Sequence, residues 1–354
     1  MKSLAFPALP VALALLCFGT VMRADWLVGS YATNSVLRYS ETDGSFLGPL
    51  VASSSGGLTG PTAGIFGPDG LLYVSSAATH EVLRYRVTDG AFQGTFVTAG
   101  SGGLNGPQGL TFGADGNLYV SSSYTNQILR YNGATGALLG TFVSAGSGGL
   151  DYPDGLAFGS DGQLYVGGFN TNSVLRYNGT NGAFVDTFVA ANSGGLSTPE
   201  YLRFGPDGHL YVPSWSGDNV MKFDRTTGAS LGAIVTAGSG GLDTAREIAW
   251  GADGKLYVTS FGADNGSARD AVLRFDATTG AFIDPFITVG SGGLDGPTFL
   301  IRTSAIPEPG AYAVLAGAVV LGVATWRRRF LSSQRGSRSS SRLQAESEWF
   351  NPSA

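Results

Sequence analysis

The chain has 354 residues, of which 55 are Gly and only 13% are charged, and its formal net charge is −5. Residues 25–306 hold 13 Lys and Arg against 23 Asp and Glu, so this acidic body is not expected to bind nucleic acid, which proteins contact through basic surfaces. An apolar fraction of 43% excludes disorder of the body, and the single cysteine, Cys17, excludes an intramolecular disulfide and a cysteine-based zinc site.

Residues 1–24 have the pattern of a secretory signal peptide. Lys2 supplies the positive charge at the start, residues 4–21 form an apolar run, and Ala24 is a small residue at the expected cleavage site. The alternative is an uncleaved membrane anchor, but the run is short for a transmembrane helix. We therefore predict that the protein is exported.

The region over residues 25–303 repeats with a period of 46 residues. Residues 112–120 recur as residues 158–166 and 204–212. The same spacing relates the aspartates of five Asp-Gly turns, which are Asp69, Asp115, Asp161, Asp207 and Asp253. A period of this length indicates one supersecondary unit per repeat.

Each repeat is predicted to form four antiparallel strands. In the repeat that starts at Pro107, the predicted strands are 109–112, 118–121, 128–131 and 139–143. Five complete repeats start at positions 61, 107, 153, 199 and 245. Residues 26–50 supply the last three strands of a sixth unit, and residues 297–301 supply its first strand. We predict an all-β, six-bladed β-propeller of four-stranded antiparallel blades, closed by pairing of its two ends.

The repeat resembles the NHL repeat in three short motifs. These are Pro-x-Gly-Leu-x-Phe, Asp-Gly-x-Leu-Tyr-Val and Asn-x-Val-Leu-Arg-Tyr. The resemblance covers about residues 26–302 and implies a propeller of the NHL and gluconolactonase-like group. Because that group includes protein-binding platforms, lactonases and lyases, the resemblance implies no single activity.

The connections between strands are expected to lie on two faces of the propeller. We define the bottom face by the Asp-Gly and Thr-Gly turns, and the top face by the Gly-rich links and the loops between second and third strands. The repeats diverge at the mouth of the channel on the top face, the top mouth, where we expect a ligand. The candidate ligand-binding residues are Asp154, Glu200, Arg246, Glu247, Phe169, Trp215 and Phe261. Carboxylates beside aromatic rings suit a sugar or another amphipathic ligand.

Other polar residues are interpreted as structural. The repeated aspartates follow ordinary turn chemistry, and His80 replaces the Asn of a top-face turn. Basic residues on the third strands are expected to form a solvated or inter-blade ion-pair stripe, and they are Arg38, Arg84, Arg130, Arg176, Lys222 and Arg274. No cofactor is evident from the sequence. The oxygen-rich residues 264–270 could bind Ca²⁺ or another divalent metal, but they do not contain a full set of ligands for it.

The C-terminal region contains three elements in a fixed order. They are Pro307, Glu308 and Pro309, an apolar run over residues 311–326, and Arg327, Arg328 and Arg329. As a helix the run would be about 24 Å long, near the lower limit for a bilayer crossing, with the arginines on the cytoplasmic side. Residues 304–330 resemble the PEP-CTERM sorting signal, which implies processing by an exosortase in a Gram-negative-type envelope. The Ser/Arg-rich residues 331–354 are predicted to be disordered.

Two functions are compatible with this sequence. The first is an exported, envelope-associated binding module for a protein or a polysaccharide, transiently anchored in the membrane. The second is a metal-dependent, gluconolactonase-like hydrolase or lyase with its site at the channel mouth. Asp154, Glu200 and Glu247 are available as ligands, but the Asn ligands that the family resemblance implies are not evident. We therefore favour the binding module.

Overall fold

Six four-stranded antiparallel sheets surround a central channel in the computed structural model, which describes residues 24–262 and 269–303. We number the sheets as blades 1–6. Four predicted segments lie outside the described residues: the signal peptide apart from Ala24, the loop proposed for Ca²⁺ apart from Arg269 and Asp270, the PEP-CTERM signal and the C-terminal tail. Within the described residues, no helix is long and apolar enough to cross a membrane.

The first three blades contain the first eleven strands and the last strand. Blade 1 consists of β1 (Asp25–Ser30), β2 (Ser35–Ser40), β3 (Phe46–Val51) and β24 (Pro297–Arg302). Blade 2 consists of β4 (Pro61–Phe66), β5 (Leu72–Ser76), β6 (Glu81–Tyr85) and β7 (Phe92–Val97). Blade 3 consists of β8 (Pro107–Phe112), β9 (Leu118–Ser122), β10 (Gln127–Tyr131) and β11 (Leu138–Val143).

The other three blades follow in chain order. Blade 4 consists of β12 (Pro153–Phe158), β13 (Leu164–Gly168), β14 (Ser173–Tyr177) and β15 (Phe184–Val189). Blade 5 consists of β16 (Arg203–Phe204), β17 (Leu210–Ser214), β18 (Asn219–Phe223) and β19 (Ser230–Val235). Blade 6 consists of β20 (Ala245–Trp250), β21 (Leu256–Ser260), β22 (Ala271–Phe275) and β23 (Phe282–Ile287). Short 3₁₀ turns lie at Ser55–Gly57, Ser101–Gly103, Ser123–Thr125, Ser147–Gly149, Ser193–Gly195, Ser239–Gly241 and Ser291–Gly293.

Pairing of the two ends of the repeat region closes the ring, as predicted. β24 is antiparallel to β1, and Leu300 lies opposite Val28. Phe299 of β24 is fully buried, and its ring occupies the space that a Cβ atom at Gly29 or Gly64 would require. Since Gly29 belongs to blade 1 and Gly64 to blade 2, the closing strand is packed against both blades, and it supplies the innermost strand that β1 would otherwise lack.

The repeated polar residues have the structural roles expected of turns. Asp115 accepts the hydroxyl hydrogen of Tyr119 at 2.9 Å and the backbone N–H of Asn117 at 3.1 Å. The same carboxylate–tyrosine contact is made by Asp69, Asp161, Asp207 and Asp253. On the top face His80 has a positive φ, and its Nδ1 accepts the N–H of Gly106 in the next blade at 3.0 Å, as Asn34 Oδ1 does for Gly60.

Five of the six basic residues of the third strands (all but Arg130) form ion pairs, but within blades and not between them. Arg176 pairs with Asp186 of the adjacent strand, and Lys222 Nζ lies 2.6 Å from Asp207 of its own blade. The corresponding guanidinium groups also lie over aromatic rings, as Arg84 does over Phe96 at 5.0 Å. The inter-blade part of the sequence interpretation is therefore wrong, because each acidic partner lies on the same sheet as its base.

Candidate functional site

The innermost strands direct polar side chains into the channel through β-bulges near their starts. In blade 4, Pro153 pairs with Gly168 and the next regular pair is Leu156 with Val166, so two residues of β12 oppose one residue of β13. A bulge re-aims a side chain relative to a regular ladder. The buried second residues of the six innermost segments are Thr62, Gln108, Asp154, Glu200, Arg246 and Thr298.

Blade 5 departs furthest from a regular innermost strand. β16 is only two residues long, and Pro199 forms an isolated bridge with Ser214. Pairing is therefore interrupted at Glu200, whose N–H donates to the carbonyl of Pro213 at 3.2 Å.

The side chain of Tyr201, in this irregular segment, crosses the channel. The equivalent repeat positions in blades 3 and 4 are Gly109 and Gly155. Its N–H donates to the carbonyl of Arg246 in blade 6 at 3.3 Å, and its hydroxyl donates to the carbonyl of Gln108 in blade 3 at 3.1 Å. The side chain therefore lies between the cavity of the top mouth and a second cavity beneath it.

The floor of the top mouth is a buried polar group, which we call the floor cluster. It consists of Gln108, Asp154, Glu200 and Arg246, each at most 7% exposed. Arg246 Nε lies 3.4 Å from Glu200 Oε2, and Arg246 Nη2 donates to Gln108 Oε1 at 3.2 Å. The carboxyl groups of Asp154 and Glu200 interact with each other, and a hydrogen bond between them requires a proton on one of the two. Apart from these contacts, Asp154 Oδ1, Glu200 Oε2 and Arg246 Nε have no partner among the described residues.

Burial controls the protonation of the two carboxyl groups. It raises the pKa of Asp154 to about 6, although the charge of Arg246 and the hydrogen bond with Glu200 act in the opposite direction. Burial and the charge of Asp154 also raise the pKa of Glu200 well above its usual value, while Arg246 lowers it. With one proton on the carboxyl pair, the single remaining negative charge is balanced by the guanidinium of Arg246.

Aromatic rings surround the floor cluster in two groups. In the first group, Trp215 and Phe261 are 5.0 Å apart, and Tyr31 is 6.1 Å from Phe261. The guanidinium of Arg246 lies over the rings of Trp215 and Phe261, at 5.6 and 5.3 Å from their centroids. These two rings therefore cover the guanidinium of Arg246, and part of their surface is occupied by this contact within the protein.

The second aromatic group lies on the side of Asp154. Tyr152 is 5.8 Å from Tyr124 and 5.4 Å from Phe169. Tyr152 has a φ of 52°, at a repeat position that is Gly106 in the preceding blade. The equivalent residues of the other blades share this left-handed conformation, including Thr198 and Thr244, so the conformation belongs to the repeat and the large ring is what distinguishes Tyr152. Among the described residues, no cation lies over the rings of this second group.

The two aromatic groups and the floor cluster enclose a pocket of about 420 Å³. The wall on the side of blade 2 is low, because Ala77 and Ala78 stand where other blades carry rings. His80 lies at this low wall and, when neutral, carries its proton on Nε2, since its Nδ1 accepts a backbone N–H. The volume falls within the range of small-molecule sites, roughly 300–1,000 Å³.

A second cavity of about 650 Å³ opens on the bottom face. Its wall is mainly apolar and includes Phe158, Phe204 and Trp250. Arg203 Nε donates to Glu247 Oε1 at 2.8 Å, and the same oxygen accepts the N–H of Ile248. The bottom cavity is the larger of the two, but its buried carboxylate is already paired.

The structure brings together six of the seven predicted ligand-binding residues. Asp154, Glu200, Arg246, Phe169, Trp215 and Phe261 line the top pocket. Glu247 lines the bottom cavity instead, because it is one residue further along β20 than Arg246 and its side chain points to the other side of Tyr201. Five further residues of the site were not predicted from the sequence, and they are Gln108, Tyr31, Tyr124, Tyr152 and Tyr201. Tyr152 and Tyr201 could have been found, since each replaces a small residue of the repeat.

The carboxylates of the top mouth do not form a metal-ligand set. In residues 24–262 and 269–303, no three His, Cys, Asp or Glu side chains are arranged so that they could hold a metal ion. A guanidinium, that of Arg246, faces the carboxyl pair where a third oxygen ligand would be needed. This cation would repel a divalent ion.

Comparisons with known proteins support the fold. No family model and no curated protein matches the chain. Among solved structures, a Bacteroides caccae protein of unknown function is 15% identical, with a TM-score of 0.62, over 79% of this chain and 98% of that chain. A nidogen/laminin complex is 14% identical, with a TM-score of 0.61, over 80% and 99%. A catalytically inactive virginiamycin B lyase from Staphylococcus aureus with quinupristin is 16% identical, with a TM-score of 0.55, over 80% and 93%. These similarities show a propeller fold and assign no activity.

Proposed function

We propose that this chain is an exported, envelope-associated propeller that binds a polysaccharide through its top mouth. The observation that carries the proposal is a pocket with aromatic walls and a buried polar floor whose atoms Asp154 Oδ1 and Arg246 Nε lack full hydrogen bonding. Buried polar groups are usually satisfied, so unsatisfied ones in a cavity suggest a ligand. Sugars match such a site, because their C–H faces pack on aromatic rings and their hydroxyl groups bond to the floor.

Binding is favoured over metal-dependent hydrolysis or elimination. The alternative needs several oxygen or nitrogen ligands around one ion, whereas Asp154 and Glu200 face Arg246, and Glu247 is paired with Arg203. His80, the histidine of the pocket, presents a donor at Nε2 when neutral, so it is not placed as a base there. The similarity to a lyase extends to the fold alone.

Export rests on the two sequence signals at the chain ends. The proposed route uses the signal peptide of residues 1–24 and a transient anchor over residues 311–326, with an exosortase as the processing partner. The N–H of Thr303 donates to the carbonyl of Asp25 at 2.8 Å at the bottom end of β24. Thr303, the last described residue, therefore lies on the face opposite the top mouth.

A protein ligand is the second candidate for the same mouth. A nidogen propeller is known in complex with laminin, and this similarity favours a partner-binding role for the fold. A protein would have to insert a side chain or a loop into a pocket of about 420 Å³. We favour a polysaccharide because the polar atoms lie at the floor of a pocket and not on an open surface.

An array of bacterial polysaccharides tests the proposal, with the full chain and two variants. Removing an aromatic anchor from the centre of a site costs about 2 kcal/mol or more, which is roughly 30-fold in affinity. We expect this loss for Trp215→Ala, since the change also exposes Arg246. Leu231→Ala is the matched control, because Leu231 is 51% exposed on the outer strand of the same blade. Equal binding by Trp215→Ala and Leu231→Ala, or binding only to proteins of an envelope extract, would contradict the proposal.

A further inference from the structure

The charges in and around the floor cluster indicate which charge a ligand of the top mouth should carry. Asp154 and Glu200 are each at least 97% buried, and one cation, Arg246, faces them. The next charged pair, Arg203 with Glu247, is neutral as a unit. Among the other neighbours, Gln108 is uncharged, and Tyr152 and Tyr201 carry no charge at neutral pH. His80 lies at the low wall of the same pocket and is a further side chain there that can bind a proton. With both carboxyl groups ionised, the floor cluster would contain two negative charges and one positive charge. A proton shared by the two carboxyl groups makes the cluster neutral.

We propose that the top mouth recognises an amino sugar with a free ammonium group, which replaces the shared proton of Asp154 and Glu200. This inference rests on the proposed binding of a polysaccharide at the same mouth. An ammonium group donates three hydrogen bonds and carries one positive charge. It can therefore donate to Asp154 Oδ1, which accepts no hydrogen bond from the described residues, and to Glu200 Oε2, whose ion-pair partner Arg246 Nε lies 3.4 Å away, and it can balance the second carboxylate.

One of the two aromatic groups in the pocket wall is available to contact the ammonium group of the ligand. Trp215 and Phe261 are covered by Arg246, whereas the rings of Tyr124, Tyr152 and Phe169 carry no protein cation among the described residues. A cation near the face of an aromatic ring gains roughly 0.5–2 kcal/mol. The ammonium is thus expected between the carboxyl pair and this second aromatic group, on the opposite side from Arg246.

A sugar fits the pocket better than a lysine side chain does. The opening is bounded by six aromatic rings and the low wall of Ala77 and Ala78, and its volume is about 420 Å³. A linear aliphatic chain with a terminal ammonium would leave most of this space unfilled. A pyranose ring instead brings an apolar face for the rings together with hydroxyl groups for Gln108 and His80.

Binding should be coupled to proton release. Because the cation displaces the shared proton, about one proton leaves for each ligand bound, and affinity rises about tenfold per pH unit while the pair is protonated. At about pH 5.5 the amine of an amino sugar, which is a weaker base than a simple alkyl amine because of its neighbouring oxygens, is still largely protonated, so the proton comes from the protein. A neutral sugar would release no proton.

Isothermal titration calorimetry with the full chain measures this proton directly. A glucosamine hexasaccharide is titrated at about pH 5.5 in two buffers of different ionisation enthalpy, with the N-acetylated hexasaccharide as the neutral counterpart. We expect release of about one proton, at least tenfold weaker binding of the N-acetylated oligomer, no proton release with Glu200→Gln, and release of the same proton with His80→Asn, which removes the imidazole of the pocket. Asp151→Asn is the matched control, because it removes a carboxylate of the same face that does not line the pocket, and it should behave as the unmodified chain.

The outcomes separate the inference from the proposed function. Equal affinity for both oligomers, or binding without proton release, would overturn the inference, and so would tighter binding of a lysine hexapeptide. The polysaccharide proposal would still stand if the array detected Trp215-dependent binding of a neutral glycan. Failure of every glycan to bind in both assays would contradict the proposed function itself.

Discussion

Replacing Asp154 by Asn should make the protein more stable at neutral pH and leave its stability unchanged in acid. Burial raises the pKa of Asp154 from 3.8 to about 6, so the folded protein holds a proton that the unfolded chain has lost. The stability that this proton provides is complete below about pH 4 and is lost as the pH rises through about 6. Asn keeps the shape of a protonated Asp and cannot ionise.

The size of the effect follows from the pKa difference. A shift of about two units corresponds to roughly 3 kcal/mol of unfolding free energy, since each unit is worth about 1.4 kcal/mol. For a domain of this size, 1 kcal/mol changes the unfolding temperature by about 2–4 °C, so we expect a gain of roughly 6–12 °C at pH 7–8. At about pH 4 the variant and the unmodified chain should unfold within about 2 °C of each other.

Differential scanning fluorimetry of the full chain between about pH 4 and pH 8 measures this difference. Asp151→Asn provides the control, because Asp151 is a partly exposed carboxylate of the same face. The reasoning would be refuted if the curves of the unmodified chain and Asp154→Asn ran parallel across the whole range. A lower unfolding temperature of Asp154→Asn at pH 8 would show that the carboxylate stabilises the fold through Arg246.

Four further predictions concern the ring, the turns and the chain end. Deleting residues 297–302 removes the buried closing strand, including Phe299, and should cost most of the roughly 5–15 kcal/mol that stabilises a typical domain; unchanged thermal unfolding would contradict closure. Tyr165→Phe loses the 2.9 Å hydrogen bond to Asp161 and should destabilise by about 1 kcal/mol in thermal unfolding. His80→Asn should change thermal stability little, since Asn34 makes the same inter-blade contact, and a large loss would point to another role for the imidazole. Mass spectrometry of the native exported protein should show loss of the C-terminal tail, and a mature species that ends at Ala354 would argue against exosortase processing.

The fold could be predicted because the repeat contains nearly all the information that specifies it. The period of 46 residues fixes the blade, and the turn residues fix the strands to within two residues, as β8 (Pro107–Phe112) shows against the predicted 109–112. The complementary ends predict closure, since residues 26–50 lack the one strand that residues 297–301 supply. Each of these features is local in sequence or strictly periodic.

The site could be predicted only in part, because its geometry depends on contacts across the channel. The divergent second positions identified Asp154, Glu200 and Arg246, but a repeat pattern does not show that bulges bury them. It also treats Arg246 and Glu247 as neighbours in one site, although the bulge at the start of β20 places Arg246 in the top pocket and Glu247 in the bottom cavity. The hydrogen bond from Tyr201 to Gln108, 93 residues apart, has no counterpart in the repeat.

Hydrogen–deuterium exchange of the full chain, with and without the polysaccharide selected by the array, tests the central claim most directly. The account predicts slower exchange in the top-face segments, residues 152–156, 169–172 and 215–218, and at the start of the irregular segment that carries Glu200. The bottom-face turns, such as residues 159–163, should exchange at an unchanged rate. Protection confined to the bottom cavity or to the outer strands would contradict the assignment of the top mouth as the binding site.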